Sequence, residues 1–193
     1  VTVGASSPAV RRPTRDELEG SYGRTVPDVI AKGLDVLFVG INPSLYSAAV
    51  GYHFGRPGNR FWPALHGSGF TDRLLSPEEG GELLRFGLGI TNIVAGATAR
   101  ADQLAPADLR EGGAHLAETA RRFRPGIVAV LGVTAYRAAF DRPRAAVGAQ
   151  PDRLAGSDLW VLPNPSGLNA GYQLPALVRA FAELKAAAPD RRG

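Results

Sequence analysis

Three short segments hold side chains whose types and spacing could do chemistry, and glycine or proline punctuates each of them. Gly40–Ile41–Asn42–Pro43–Ser44 is a stiff turn. Gly40 tolerates backbone angles that other residues resist, while Pro43 fixes its own φ and gives up an N–H. Such a turn can aim backbone N–H groups into a cleft and hold the Asn42 amide at its edge, able to accept from a water and to donate to a carbonyl. The plainer alternative is a strand-to-helix turn in which Asn42 caps a helix over 44–49. From Tyr52 to Trp62 the chain reads YHFGRPGNRFW, aromatic and basic residues interleaved in a Gly/Pro-rich loop. That composition suits stacking on a flat base and contact with phosphate. Asn59 is a good helix N-cap, and Phe61 and Trp62 after it are expected in the core, whereas His53 and Phe54 are freer to face a ligand. The third segment is Asn164–Pro165–Ser166–Gly167–Leu168–Asn169–Ala170. A lone leucine at a loop tip either packs under its neighbours or acts as an apolar wedge between stacked bases.

Other chemistries lack their residues. The chain has no cysteine, so disulfides, thiolate nucleophiles and cysteine-ligated metals are excluded. His66 and His115 each fall on a predicted helix without a partner at ligand spacing, and no metal or other cofactor is expected. No nucleophile-elbow, phosphate-loop or dinucleotide fingerprint occurs. None of the three segments contains Asp or Glu, so paired-carboxylate catalysis is not evident. They offer amides instead.

The elements that must position these segments follow from hydrophobic patterning. Apolar runs at 35–40 (DVLFVG), 89–94 (GITNIV), 127–131 (IVAVL) and 159–162 (LWVL) read as strands buried on both faces, because they are continuous rather than alternating. Helical stretches separate them. Thr14–Glu17 and Ser76–Glu79 have capping-box spacing. Leu109, Leu116, Ala120 and Phe123 share one helical face, as do Leu174, Leu177, Val178, Phe181 and Leu184. Strands alternating with helices imply right-handed crossovers. The expected fold is a three-layer α/β/α sandwich around a central, mostly parallel sheet of about four to five strands. Ligands of such sheets bind beyond the carboxyl ends of the strands, which is where GINPS and NPSGLN fall.

The 193 residues, 45% hydrophobic and 21% charged, suit one soluble domain with a real core. The expected organisation is a partly disordered lead-in with a short helix over 1–26, a single domain over 27–187, and a basic tail over 188–193. No apolar run approaches the ~20 residues of a membrane span, and the first twenty residues lack the apolar core of a secretory signal. The expected compartment is therefore the cytoplasm. A net charge of +4 and a pI near 9.8 are compatible with a phosphate-rich partner. The arginine clusters at 11–12, 121–124, 142–144 and 191–192 read as solvated surface.

Taken together and in order, GINPS, FGRPGNRFW, GITNIV and NPSGLN closely resemble the mismatch-specific uracil-DNA glycosylases, the bacterial branch of the thymine-DNA glycosylase family within the uracil-DNA glycosylase superfamily. The likeness runs from about Pro27 to Ala186. It implies that Asn42 positions the attacking water and that Phe54 stacks on the flipped base. The backbone around Ile41 and Ser44 then bonds the pyrimidine edge, Ser47 is a small polar pocket residue, and Asn92 lies at a pocket-wall position that varies in the family. Asn164, Ser166, Gly167, Leu168 and Asn169 belong to the loop that enters the helix. There are departures. Ser44 stands where the family often has Gly, although a backbone N–H survives that change. An arginine of the intercalating loop has no counterpart at Ala170, so recognition of the orphaned base is either weaker or falls to Asn169.

The implied function is a monofunctional DNA glycosylase acting as a monomer on double-stranded DNA. It removes uracil or related damaged pyrimidines, favours U:G mismatches and leaves an abasic site, acting at the bacterial nucleoid. The alternatives are a nucleoside or nucleotide hydrolase of the same fold, and a non-catalytic binder of damaged DNA. The first would need no Leu168 at a loop tip.

Overall fold

The structure, a computed structural model, describes residues 12–189. Residues 1–11 of the expected lead-in, Arg11 among them, and the Arg191–Arg192 pair lie outside the described residues. Five strands form one sheet in the order β2-β1-β3-β5-β4, with β1 over Val36–Gly40, β2 over Leu88–Asn92, β3 over Ile127–Leu131, β4 over Gly148–Leu154 and β5 over Ser157–Leu162. The β1–β2, β1–β3 and β3–β5 pairs are parallel, and β4 closes the edge antiparallel to β5. The four apolar runs are all strands. β4 is an addition: its sequence GAQPDRL alternates between half-buried and exposed, carries Pro151 and shifts register between Ala149 and Arg153. These are the marks of an edge strand, which a continuous-apolar pattern misses.

Both faces of the sheet are covered. Along β1, Val36 and Phe38 point to one side and Leu37 and Val39 to the other, as the pleat requires. On the first side Phe38 meets Phe61 edge-on (5.4 Å) and stacks on Phe181 (5.7 Å). Those rings come from α3 (Phe61–Gly67) and α6 (Leu174–Ala187), which also bury Leu65, Leu177 and Leu184. On the second side α4 (Pro106–Phe123) and α5 (Val133–Phe140) bury Leu116, Ala120 and Tyr136. Each fully buried side chain of this size contributes roughly 1.5–3 kcal/mol before entropy is counted. The remaining helices are α1 (Arg15–Glu19), with the Thr14–Glu17 capping box formed, and α2 (Leu45–Val50). The stretch Pro77–Phe86 winds as a 3-10 helix, its Ser76 N–H donating to Glu79 Oε2 at 2.9 Å.

Strand register decides where the functional segments meet. Gly40 lies beside Asn92, and Leu131 beside Leu162. The carboxyl ends of the parallel strands thus form one edge, from which residues 41–44, 93–100 and 163–168 emerge. The Arg121–Arg124 cluster, at the end of α4 just before β3, lies at the opposite edge.

Candidate active site

A run of backbone hydrogen bonds holds the turn after β1. Ile93 N–H donates to Gly40 O (2.9 Å), Val94 N–H to Ile41 O (2.9 Å) and Thr98 N–H to Pro43 O (3.2 Å). A parallel bridge between Ser44 and Thr98 ends this extension of the ladder. Ser44, and not Asn42, then caps α2: its Oγ accepts from Ser47 N–H at 3.1 Å. The capping alternative for Asn42 is thereby overturned, because the serine two residues on already satisfies the helix start. Asn42 reaches sideways instead, Nδ2 donating to Gly96 O (3.1 Å) and to Thr98 Oγ1 (2.8 Å). Thr98 spends its own proton on Arg100 O (2.8 Å). Both groups facing that end of Asn42 are therefore acceptors, which fixes the amide's orientation and leaves Oδ1 as the end turned away from them.

Ser47 is buried, its Oγ accepting from Gly55 N–H and from Ser44 Oγ, each at 3.1 Å. It pins the following loop onto α2. Just before Gly55, Phe54 takes a φ of +52°, rare for a bulky side chain and costly by about 1–2 kcal/mol. Strain of this kind gathers at functional sites. Its ring lies over Phe61, centroids 4.2 Å apart and planes 24° apart, so one face is covered. Asn59 Oδ1 accepts from Phe61 N–H at 2.9 Å, but the N-cap of α3 is Arg60, whose side chain makes no capping bond, so Asn59 stands one residue before the cap position expected of it.

His53 differs from the expectation of a ring free to face a ligand. It is 6% exposed, with Nε2 2.9 Å from Pro27 O. A carbonyl only accepts, so Nε2 carries the proton and Nδ1 is an acceptor; Asn92 Nδ2 lies 3.4 Å from it. Burial pushes the imidazole below its ordinary value of 6.5, against opposing contributions from the Pro27 hydrogen bond and the Asp28 charge.

The last segment is a chain of small turns. Asn164 Oδ1 accepts from Ser166 N–H (2.9 Å), Ser166 Oγ from Leu168 N–H (3.3 Å), and Asn169 Nδ2 donates back to Asn164 O (2.9 Å). Leu168 is 75% exposed, which overturns the reading in which it packs under its neighbours. Gly167 passes so close to Gly58 O that an added Cβ would sit 2.8 Å from it. Arg60, overlooked in the sequence, braces the whole loop. Its guanidinium donates to Tyr172 O (2.6 Å), Ser166 O (2.5 Å) and Asn169 O (2.8 Å), while its N–H donates to Pro165 O (2.9 Å). With its amide committed to Asn164 and Gly171, Asn169 is a brace of the loop, so the expectation that it faces an orphaned base is not supported.

One cavity of about 140 Å³ draws these segments together. Ile41, Asn42, Ser44, Ser47 and Phe54 line it, as do Asn92, Asn164, Ser166 and Leu168. Gly167 and Asn169 stand outside the lining. The volume is close to the ~150 Å³ of an apolar cavity that accepts one benzene ring. Thr98, Arg56 and Arg100 share the lining and were not singled out from sequence; His53, expected to be free in the loop, also lines it, but as a buried wall residue. Arg100 pairs with Asp102, whereas the exposed Arg56 guanidinium has no ion pair among the described residues. Among the described residues no Asp or Glu lines the cavity and no His, Asp or Glu cluster could hold a metal. What the site can supply is a fixed amide oxygen, oriented backbone dipoles, one aromatic face and arginine at its side.

Over residues 27–186 the chain matches the family model described as the Uracil DNA glycosylase superfamily. Among solved structures, a Methanosarcina acetivorans protein determined by solution NMR, described as a candidate uracil DNA glycosylase, superposes with a TM-score of 0.56. The match covers 84% of this chain and 98% of that one at 18% identity, a likeness of fold.

Proposed function

The chain belongs to the uracil DNA glycosylase superfamily, and we propose on that premise that it is a monofunctional enzyme of the mismatch-specific branch. It would remove uracil from DNA, favouring uracil opposite guanine, with residues 27–187 as one domain acting as a monomer in the cytoplasm. The observation that carries this reading is the convergence of Asn42, Phe54 and Leu168, from three separate connections, on one cavity of single-ring size.

A base stacked in a duplex cannot reach such a cavity, so the nucleotide is extruded at a cost of a few kcal/mol, least where pairing is already poor. That alone favours a mismatch. Leu168, exposed at its loop tip, fills the vacated stack and offsets part of the cost. Phe54, backed by Phe61, takes one face of the extruded ring.

Breaking the N-glycosidic bond places positive charge on the sugar and negative charge on the departing base. Glycoside hydrolases usually meet this with two carboxylates. Here fixed dipoles take that part: backbone N–H groups around Ile41 and Ser44 meet the anionic base, at ~3 kcal/mol per well-placed donor. Asn42 Oδ1, held by the two bonds to Nδ2, accepts from a water and aims it at the sugar. An amide oxygen is a feeble base, so the reaction is slow and depends on an easily ionised leaving group. The lysines, Lys32 and Lys185, lie outside the cavity. Without an amine at the sugar no Schiff base forms, and the strand stays intact.

The test is a glycosylase assay over uracil, ethenocytosine and thymine opposite guanine, in single and double strands. Release of uracil, fastest from U:G, is expected. Turnover of free deoxyuridine at the same rate, or tight binding of U:G duplex with no base released, would sink the reading.

A further inference from the structure

The wall of the cavity facing Gly40 holds a second amide whose orientation is not its own choice. Segment 27–29 lies along the outer edge of β2, with Val29 and Ile90 exchanging both backbone hydrogen bonds (2.9 and 2.8 Å). That pairing delivers Pro27 O to His53 Nε2 at 2.9 Å. The ring's proton is therefore on Nε2, and the bare Nδ1 can face only a donor. The end of Asn92 that meets it must be Nδ2, at 3.4 Å. Oδ1 is then the opposite end, and it lies against Gly40, where a Cβ would collide with it. The missing side chain at Gly40 is the space that the amide oxygen uses.

We infer that His53 is a positioning residue that decides which end of the Asn92 amide is presented to the base. With a neutral ring, Asn92 offers its carbonyl oxygen to the cavity, the partner that the N3–H of uracil requires. With a protonated ring, Nδ1–H confronts Nδ2–H, two donors with no acceptor between them. The amide then turns over to give Oδ1 to the imidazolium, and the cavity receives an N–H where it had an acceptor. Uracil recognition is lost and an acceptor-edged ring is favoured. The inference rests on the glycosylase reading for its substrate, and on the Pro27–His53–Asn92 geometry for everything else.

The surroundings restrict what can titrate. Gly40, Ser47 and Asn92, which share the cavity from β1, α2 and β2, carry no titratable group. The charged groups that share it are the guanidinium groups of Arg56 and Arg100. Asp28, from the segment carrying Pro27, acts on the ring through its charge and favours protonation, against burial, which opposes it more strongly. The presented oxygen is thus the state of neutral pH, and inversion comes below the ordinary histidine value of 6.5.

Two measurements on the full chain decide the matter. In the free protein, 15N NMR should find His53 protonated on Nε2 at pH 7.5, and the Asn92 side-chain amide resonances should move on acidification with the same midpoint as the His53 ring. A ring protonated on Nδ1 at that pH, or an Asn92 amide indifferent to the titration, overturns the inference. In uracil excision, acidification should raise the wild-type KM about tenfold with a much smaller change in kcat. His53→Gln supplies the same donor to Pro27 and the same acceptor to Asn92 without a titrating proton. It should restore most of the binding that His53→Phe loses, and its KM should stay flat where the wild-type value rises. Parallel KM curves for wild type and His53→Gln would overturn the inference even if His53→Phe fails to fold. A wild-type protein that excises no uracil would sink the glycosylase reading instead, and the NMR coupling would still decide this one.

Discussion

The floor of the cavity and the loop that carries Leu168 leave the same edge of one sheet, yet they are made rigid by different means. Residues 40–44 extend the parallel ladder beyond the strands, bonded backbone to backbone with 93–98. Residues 164–173 have no such ladder. They turn on their own Asn and Ser side chains and hang from the guanidinium of Arg60. Main-chain bonds survive any substitution short of proline; a guanidinium does not. A floor built this way keeps its shape while its side chains change, and chemistry can be removed from it cleanly. The Leu168 loop can lose its shape through one residue that stands outside the cavity lining.

The sharpest way to expose that difference is Asn42→Ala. Uracil release from a U:G duplex should fall by about 10²–10³, the scale of a lost positioned group at a reacting atom. Stability should fall only by about 1–2 kcal/mol for the two bonds lost to Gly96 and Thr98, and product DNA should still bind. Full retained turnover would move the catalytic burden elsewhere on the cavity wall, with Asn92 first in line. Arg60→Ala comes next. It strips the carbonyls of Ser166, Asn169 and Tyr172 of their donor, and duplex excision should drop about 10–100-fold while excision from single strands falls much less. Arg60→Lys should fall between, since an ammonium cannot fork to several carbonyls at once. Equal losses on both substrates would mean that the floor depends on this loop after all. Leu168→Ala removes the tip without disturbing the brace and should cost about tenfold on duplex DNA, with little change on single strands. A uniform loss would take the wedge role from Leu168.

What the sequence disclosed and what it concealed divide along the same line. β1, β2, β3 and β5 were legible because strands buried on both faces must be continuously apolar, whereas β4 alternates and carries a proline, so nothing in its composition sets it apart from a loop. Asn42, Phe54 and Leu168 were legible because each sits in a short, chemically odd segment whose neighbours restrict it. Arg60 was not, although it lies inside such a segment, because its partners stand more than a hundred residues downstream and bear no complementary charge. The burial of His53 was missed for the same reason: it depends on segment 27–29 pairing with β2, a contact that no local pattern announces. Motif spacing finds the groups that could meet a ligand. It does not find the groups that hold them still.

The smallest expected effect separates the two halves by pH. His53 titrates below 6.5 in the folded chain, mainly because burial disfavours its charged form. As pH falls, the unfolded chain takes up this proton first, so stability declines from about 6.5 until the folded ring is protonated as well, and no further loss comes from this group below that point. Carboxylates whose folded-state values are depressed add their own losses at lower pH, from reference values of 3.8 for Asp152, lowered chiefly by the Arg142 hydrogen bond, and 4.5 for Glu79, lowered chiefly by the Ser76 N–H. Thermal unfolding followed against pH should therefore show a shoulder below 6.5 that His53→Gln abolishes. The Leu168 loop is held by the Arg60 guanidinium on backbone carbonyls and shares no hydrogen bond with His53, so Leu168→Ala should leave the shoulder where it is. A shoulder that persists in His53→Gln, or that vanishes with Leu168→Ala, would mean that the pocket wall and the loop are not the separately held structures that their hydrogen bonds describe.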